Sequence, residues 1–314
     1  MDQHKEKAYH AVVGALVGDV ASMGLHWLYD QQQIIKVAGK HPEFHAPDRF
    51  DYQDKGFFAH AGKSVGDHSQ YGAQVLAMVD ALTCAKAYSE KCYIEHFREW
   101  FDFGGFWVGY IDKPTKITLQ NIHQQEANGL PVTRCGADDT QLPAISKLIP
   151  LIACFHTSNE LPSMVESAVR VTNNNDKAVE WAHALTLLLQ AAIQGHTPMQ
   201  SVEMVRQTCS SFIHEQVNLA LAEPELSITE AAEKFGLHCD LAAAFPVIIR
   251  IVATAKSYEQ GIRDNILCGG DNCGRSIIIG AVLAAGYFDE EGSIPCEWLA
   301  QLNLNGKVLA LPIQ

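Results

Sequence analysis

Four stretches of this chain place oxygen, nitrogen and sulfur donors on small-residue turns that run into apolar segments. They are GALVGDVASMGLHWLYD (14–30), SVGDHSQYGAQVLAMVDAL (64–82), RCGADDTQLPAISKLIPLIA (134–153) and GGDNCGRSIIIG (269–280). Carboxylates at the start of helices can hold a hard cation through oxygen or position a water for hydrolysis. Asp67, Asp138, Asp139 and Asp271 are the carboxylates so placed. Cys273 stands near a helix start, which lowers a thiol pKa, and beside Asp271, which opposes that shift. Each feature also has a plainer reading. Asp or Ser before a helix is an ordinary N-cap, glycine permits a tight turn, and a free cysteine is most often inert core. His26 is a ligand or a hydrogen-bonded structural histidine. Trp27 stacks on a ligand ring or packs in the core. His68 supplies a base, and Arg275 meets a phosphate or sits at an exposed helix start.

The elements that must carry these turns read as helices. Ala178 to Ile193 is apolar nearly all round, as in a buried helix, and Val75, Leu76, Val79 and Leu82 recur at helical spacing within Gln70 to Ala87. Ser227 with Glu230 fits a capping box, and Ala242–Thr254 and Ile277–Ala285 read as two further apolar helices. Runs of period two are missing. The expectation is a compact all-α fold of many short helices, one domain over residues 1–314, with no linker dividing it. Gln31 to His68 is the longest stretch without a helical pattern and reads as a long loop that is either a pocket wall or a surface excursion.

Net charge is −13, without a polybasic run, which disfavours nucleic acid as a partner. Nine cysteines, odd in number and without CxxC pairs, point to reduced thiols and away from a disulfide framework or zinc knuckle. The polar N-terminus MDQHKEKAYH lacks a signal-peptide core, and the apolar run from Ile277 to Phe288 is too short to span a bilayer. A cytoplasmic protein that does not engage membranes is expected.

The four stretches, in this order, resemble the ADP-ribosylglycohydrolase superfamily from Gly14 to Gly286. GALVGD is similar to that family's first helix, VTNNNDKAVEWAHAL (171–185) to its middle segment, and GGDNCGRSIIIGAVLAAGYF to its closing motif. The resemblance implies a single multi-helix orthogonal bundle, two magnesium ions held between helices, and cleavage of an N- or O-glycosidic bond of ADP-ribose. It also implies departures. Thr-Asp-Asp-Thr becomes Gly66-Asp67-His68-Ser69, the second aspartate of the last motif becomes Cys273, its final threonine becomes Gly274, and His26 stands where a glutamate is usual. The altered motifs resemble the branch that includes the jellyfish J-type crystallins and fish selenoprotein J.

On this resemblance Asp67, Asp271, Asp138 and Asp139 are the expected magnesium ligands. Asp67, Asp138, Asp139 and Cys273 are the catalytic candidates, and His26, Trp27, His68, Asn272 and Arg275 would contact the substrate, a small-molecule or protein-linked ADP-ribose. Three functions remain open: a glycohydrolase with an altered metal site, a non-catalytic crystallin-like or ligand-binding descendant, and a thiol-dependent enzyme using Cys273.

Overall fold

The structure is a computed structural model and describes residues 2–302 and 308–314. Among these residues the regular structure is entirely helical, as expected. The chain enters through α1 (Gln3–Ser22), turns at Met23–Leu25, and forms α2 (Gln31–Ala38), α3 (Arg49–Tyr52), α4 (Gln70–Ala85), α5 (Glu90–Phe101) and α6 (Lys113–Ala127). Two short helices, α7 (Pro143–Ser146) and α8 (Ile149–Cys154), lead into α9 (Leu161–Thr172) and α10 (Asp176–Ile193). Then come α11 (Pro198–Thr208), α12 (Ser211–Leu221), α13 (Ile228–Phe235), α14 (Leu241–Thr254), α15 (Tyr258–Cys268), α16 (Asn272–Gly286) and α17 (Cys296–Leu299).

Caps fix most of these boundaries. Side chains of Asp2, Asp30, Ser69, Ser89, Asp112, Asn175, Ser227, Asp240 and Ser257 each accept a backbone N–H at the start of their helix. Ser227 and Glu230 form the expected capping box. The stretch Gln31–His68 departs from expectation by containing α2 and α3. Asp30 caps α2, which is only eight residues long and has Gln33 and Ile34 as its buried residues, a stretch too short for a helical pattern to stand out. The rest of this stretch is tied down by the Glu43–Arg263 ion pair, His45 on Asp51, and the Tyr52 hydroxyl donating to the His26 carbonyl at 2.7 Å.

The centre of the molecule is the pair α1 and α16. Every residue of α16 is buried, as is α1 from Ala11 onward. A helix apolar nearly all round is a core helix. The span Gln3–Leu25 has the length and mean hydropathy, 1.3, of a membrane-crossing helix, but 89% of its apolar window is buried inside the protein. The similarity of GALVGD to a first helix is met by α1, which begins earlier, at Gln3, behind polar first turns.

The two helices touch backbone to backbone. A Cβ added at Gly14 would lie 2.3 Å from the Ala284 Cβ and 2.5 Å from the Gly280 carbonyl oxygen, and one at Gly280 would lie 2.3 Å from the Gly14 carbonyl oxygen. Ser22 and Ser276 share a 2.6 Å hydrogen bond across the same contact, and the Tyr258 hydroxyl donates to the Gly14 carbonyl at 2.7 Å. A methyl group here must push two main chains apart rather than one side chain, so overpacking is not relieved by a rotamer change. Gly14→Ala should therefore destabilise the protein by about 1–3 kcal/mol. Urea unfolding followed by circular dichroism measures it, and stability equal to that of the unsubstituted protein would mean that the two helices are not in backbone contact.

Candidate active site

The C-terminal end of α1 and the N-terminal ends of α4 and α16 meet at one place. Asp19, fully buried in the last turns of α1, accepts the Ser69 N–H at 3.0 Å and the Ser69 hydroxyl, and lies 3.0 Å from His68 Nδ1. Ser69 Oγ in turn caps α4 by accepting from the Tyr71 and Gly72 amides. This pairing requires residue 72 to be glycine, since a Cβ there would fall 1.8 Å from Asp19 Oδ2. Asp19 thus has both oxygens hydrogen-bonded and holds the start of α4 onto the end of α1.

The Gly-Gly-Asp turn is built differently. Gly269 and Gly270 have φ of 78° and 68°, in the left-handed region where a side chain is strained. At Gly270 a Cβ would also meet the Leu237 carbonyl oxygen at 2.1 Å. The turn is laced to the segment after α1, with Trp27 N–H donating to Gly270 O and Gly270 N–H to Leu28 O, both at 2.8 Å. Asp271 occupies the N-cap position of α16 but caps nothing. Its Oδ1 lies 2.8 Å from His26 Nε2, and His26 Nδ1 lies 2.9 Å from His60 Nε2. Asp271, His26 and His60 thus form one hydrogen-bonded line, with Asp271 accepting from His26 Nε2–H and the two rings sharing the proton between Nδ1 of His26 and Nε2 of His60. Burial first, and the neighbouring His26 second, push the His60 pKa well below the ordinary histidine value.

Five polar atoms of this region are buried without a partner: Asp271 Oδ2, Asn272 Oδ1, Arg275 Nη1, Asp112 Oδ2 and the Tyr71 hydroxyl. Leaving a buried polar group unpaired costs on the order of 1–3 kcal/mol each, so a cluster of them marks a place prepared for a ligand rather than for stability. The groups share one electrostatic environment. Beyond desolvation, Asp271, Asp112, Cys239 and Cys273 all act on Tyr71, and Asp271, Asp139 and Asp112 all act on Cys239. Burial raises the Asp112 carboxyl above the usual carboxylate range, against the opposing hydrogen bonds from Thr115. At the rim, burial and Asp271 push the Tyr29 phenol up to about 12.

The third stretch reaches the rim through backbone pairing. Ala137 bridges to Asn173, Gln141 bridges to Asp240, and the Gly136 N–H donates to Arg170 O at 3.0 Å. Behind it, Lys147 is fully buried and donates to the Ala144 carbonyl and to Thr172 Oγ1; burial lowers its pKa to about 7.

Several expected roles are corrected by these positions. Asp67 is exposed and turned back on its own loop, accepting the Ser64 N–H at 2.8 Å, so it is not among the buried ligands. The buried carboxylate beside the start of α4 is Asp19. Asp138 is exposed and accepts from Asn175 Nδ2 at 2.6 Å, whereas Asp139 is half-buried, chelates Gln141 N and Nε2, and meets Asn173 Nδ2. Cys273 is fully buried against the Asp19 carbonyl, and burial, Asp19 and Asp271 all raise its thiol pKa, which removes the case for a reactive thiolate. Arg275 is fully buried, not at an exposed helix start; it braces the turn from behind by donating to Asn265 Oδ1 at 2.7 Å and to the Gly269 carbonyl, while its Nη1 has no partner. Asn272 donates to the Leu25 carbonyl, and His68 serves Asp19. His26 faces Asp271. Trp27, with φ of 64°, packs against His26, Phe57, Tyr71 and Tyr110 as an aromatic wall.

The donor set does not fit a pair of magnesium ions. Asp67 and Asp138 point away, both Asp19 oxygens are engaged, and Cys273 offers a soft sulfur where magnesium wants oxygen. Among the described residues, three potential Asp, Glu, His or Cys ligand atoms lie within 4.8 Å of one another at a single location, and it is elsewhere.

Because His60 is neutral in the folded protein and its folded pKa lies below the unfolded value near 6.5, the unfolded chain takes up a proton that the folded chain refuses as pH falls. Its contribution is present above about pH 6.5 and is lost below it. His60→Gln should remove up to about 1.4 kcal/mol per pH unit from the acid slope of stability. Urea melts between pH 7.5 and 5.5 give the slopes, and identical ones in variant and parent would mean His60 is protonated in place.

Comparison with known proteins agrees with the architecture. Residues 1–312 match the sequence model of the ADP-ribosylglycohydrolase family. The chain is 27% identical to Crystallin J1A of Tripedalia cystophora over 322 residues, covering 98% of this chain and 95% of that one. It is also 27% identical to Crystallin J1B of the same animal over 327 residues, with the same coverage. A solved structure titled ADP-ribosylglycohydrolase-related protein complex superposes with a TM-score of 0.71 at 19% identity, covering 99% of both chains, and so shares the fold. Spanning nearly its whole length, these matches make the chain a member of the ADP-ribosylglycohydrolase family.

Proposed function

We propose that the protein hydrolyses an N- or O-glycosidic bond of ADP-ribose or a closely related glycoside, using two carboxyl groups. The observation that carries this reading is the pair of buried carboxyls, Asp271 and Asp112, each with one unpartnered oxygen and both acting electrostatically on the unpartnered Tyr71 hydroxyl. Glycoside hydrolysis needs one carboxylate to activate water and one protonated carboxyl to release the leaving group, and their environments must push the two apart. Asp112, with its raised pKa, suits the acid. Asp271 suits the base: Oδ1 is fixed by His26, leaving Oδ2 to take a proton from water as its oxygen attacks the anomeric carbon. The His26–His60 pair holds the carboxylate's orientation, as a third group does in other acid–base sites. Trp27 and Tyr110 offer faces for a planar base, and Asp139 and Tyr29 stand at the rim for ribose hydroxyls.

A second reading, a ligand-binding descendant without turnover, draws support from burial: Asp271, Cys273 and Tyr71 have no exposed surface. Surface cavities of about 410 and 550 Å3 lie away from the site, lined by residues such as Glu180, His183 and Cys209 in one case and Tyr9, His10 and Phe288 in the other.

Release of free ADP-ribose from an ADP-ribosylated peptide, followed by mass spectrometry, tests the reading. Asp271→Asn should lower kcat by roughly 10²- to 10⁴-fold, the range for losing a general base. Asp112→Asn should abolish the alkaline limb of the pH–rate profile, and Asp67→Ala should stay within about twofold of the parent, since an exposed surface change leaves the site intact. Turnover unchanged in Asp271→Asn would overturn the assignment. Binding of ADP-ribose without turnover in the parent would select the second reading.

A further inference from the structure

A second cluster of donors lies away from this site, where α4 and α5 turn back on each other. Cys84 is in the last turn of α4, and Cys92 and His96 stand one turn apart on the same face of α5. Their donor atoms all lie within 4.8 Å of one another. Cys84 is exposed and the other two are half-buried, so an ion can reach the cluster from solvent. Glu99 Oε2 lies 2.7 Å from His96 Nδ1, the arrangement in which a carboxylate fixes a histidine's tautomer and leaves Nε2 free to ligate. The geometry points to a zinc-binding site formed by Cys84, Cys92 and His96, with Glu99 orienting the imidazole and the fourth position open to water.

The dimensions decide for zinc over the alternatives. Ligands at about 2.0–2.3 Å from a tetrahedral ion stand about 3.3–3.8 Å apart, so the observed spacing needs only about an ångström of side-chain closure. Two sulfurs and an imidazole are the donors of a borderline-soft ion, not of magnesium or calcium. A disulfide between Cys84 and Cys92 would use the sulfurs but leave the paired His96 and Glu99 without a role. The cluster is missed by a search for CxxC because its ligands come from two helices, in a C-x7-C-x3-H spacing.

Titration of the reduced full chain with Co2+ and then Zn2+ tests the site. One Co2+ per chain should bind with a thiolate-to-cobalt absorption band in the near ultraviolet, displaced by Zn2+. The band should be lost in Cys84→Ser and Cys92→Ser and kept in Cys296→Ser. Zinc affinity by competition should fall at least about 100-fold in Cys84→Ser and about 10- to 100-fold in Glu99→Gln. Circular dichroism of the metal-free variants should match the parent, since Cys84 and Glu99 lie at the surface. Lack of a cobalt band, a band that survives Cys84→Ser, or zinc affinity equal in the parent and that variant would overturn the proposal.

Discussion

The arrangement rests on the absence of side chains between α1 and α16. Where Gly14 and Gly280 meet, each helix occupies the volume a Cβ of the other would need. Gly18 extends the same contact, a Cβ there falling 2.5 Å from the Ser276 carbonyl oxygen. Such an approach fixes the sliding and rotation of the two helices more tightly than interdigitated leucines would, because main chains cannot repack. Asp19, at the end of one helix, and Asp271, at the start of the other, are positioned by that contact. The α4 helix follows, since Asp19 holds Ser69 and fits into the space left at Gly72.

The two aspartates show opposite uses of the same chemical group. Asp19 spends both oxygens on hydrogen bonds and is structural, although it lies where the family resemblance leads one to look for chemistry. Asp271 keeps an oxygen free at a cost in stability, and the fold supports it with a histidine behind a histidine. Arg275, the cation closest in sequence to this turn, is committed to Asn265 and the Gly269 carbonyl. Its remaining Nη1 is unpartnered, and the Asp271 carboxylate acts on it electrostatically.

Much of the helical framework was legible in the sequence because it follows from local patterns. Ala178–Ile193, the region from Gln70 and the capping box at Ser227 appear within a few residues of where periodicity and caps put them. The closing motif was legible as well, since paired glycines before an aspartate imply a turn that exposes it. What could not be read was direction. Asp67 and Asp19 are both acidic residues next to glycine or valine, and only the packing of α4 on α1 decides that Asp19 points inward while Asp67 closes a loop with Ser64. His60 lay in a stretch without periodicity, and Asp112, in Asp-Lys-Pro-Thr, is an N-cap like many others, so no sequence signal singled it out. Cys273 was read from its neighbours in sequence, whereas its pKa is set by complete burial.

The α1–α16 contact also carries a consequence for how the protein is made. Ser22 and Ser276, paired across it, are separated by 254 residues of chain. At bacterial or eukaryotic elongation rates of about 5–20 residues per second, α1 leaves the ribosome roughly 13–50 seconds before its partner exists. During that interval a helix with the length and hydropathy of a membrane span has none of the surface that covers it in the finished molecule. Its early polar turns, Gln3 to Lys7, and the lone Asp19 are then the only features that distinguish it from a targeting segment. The apolar surface of α1 can therefore be covered by its partner only once the last long helix has been synthesised.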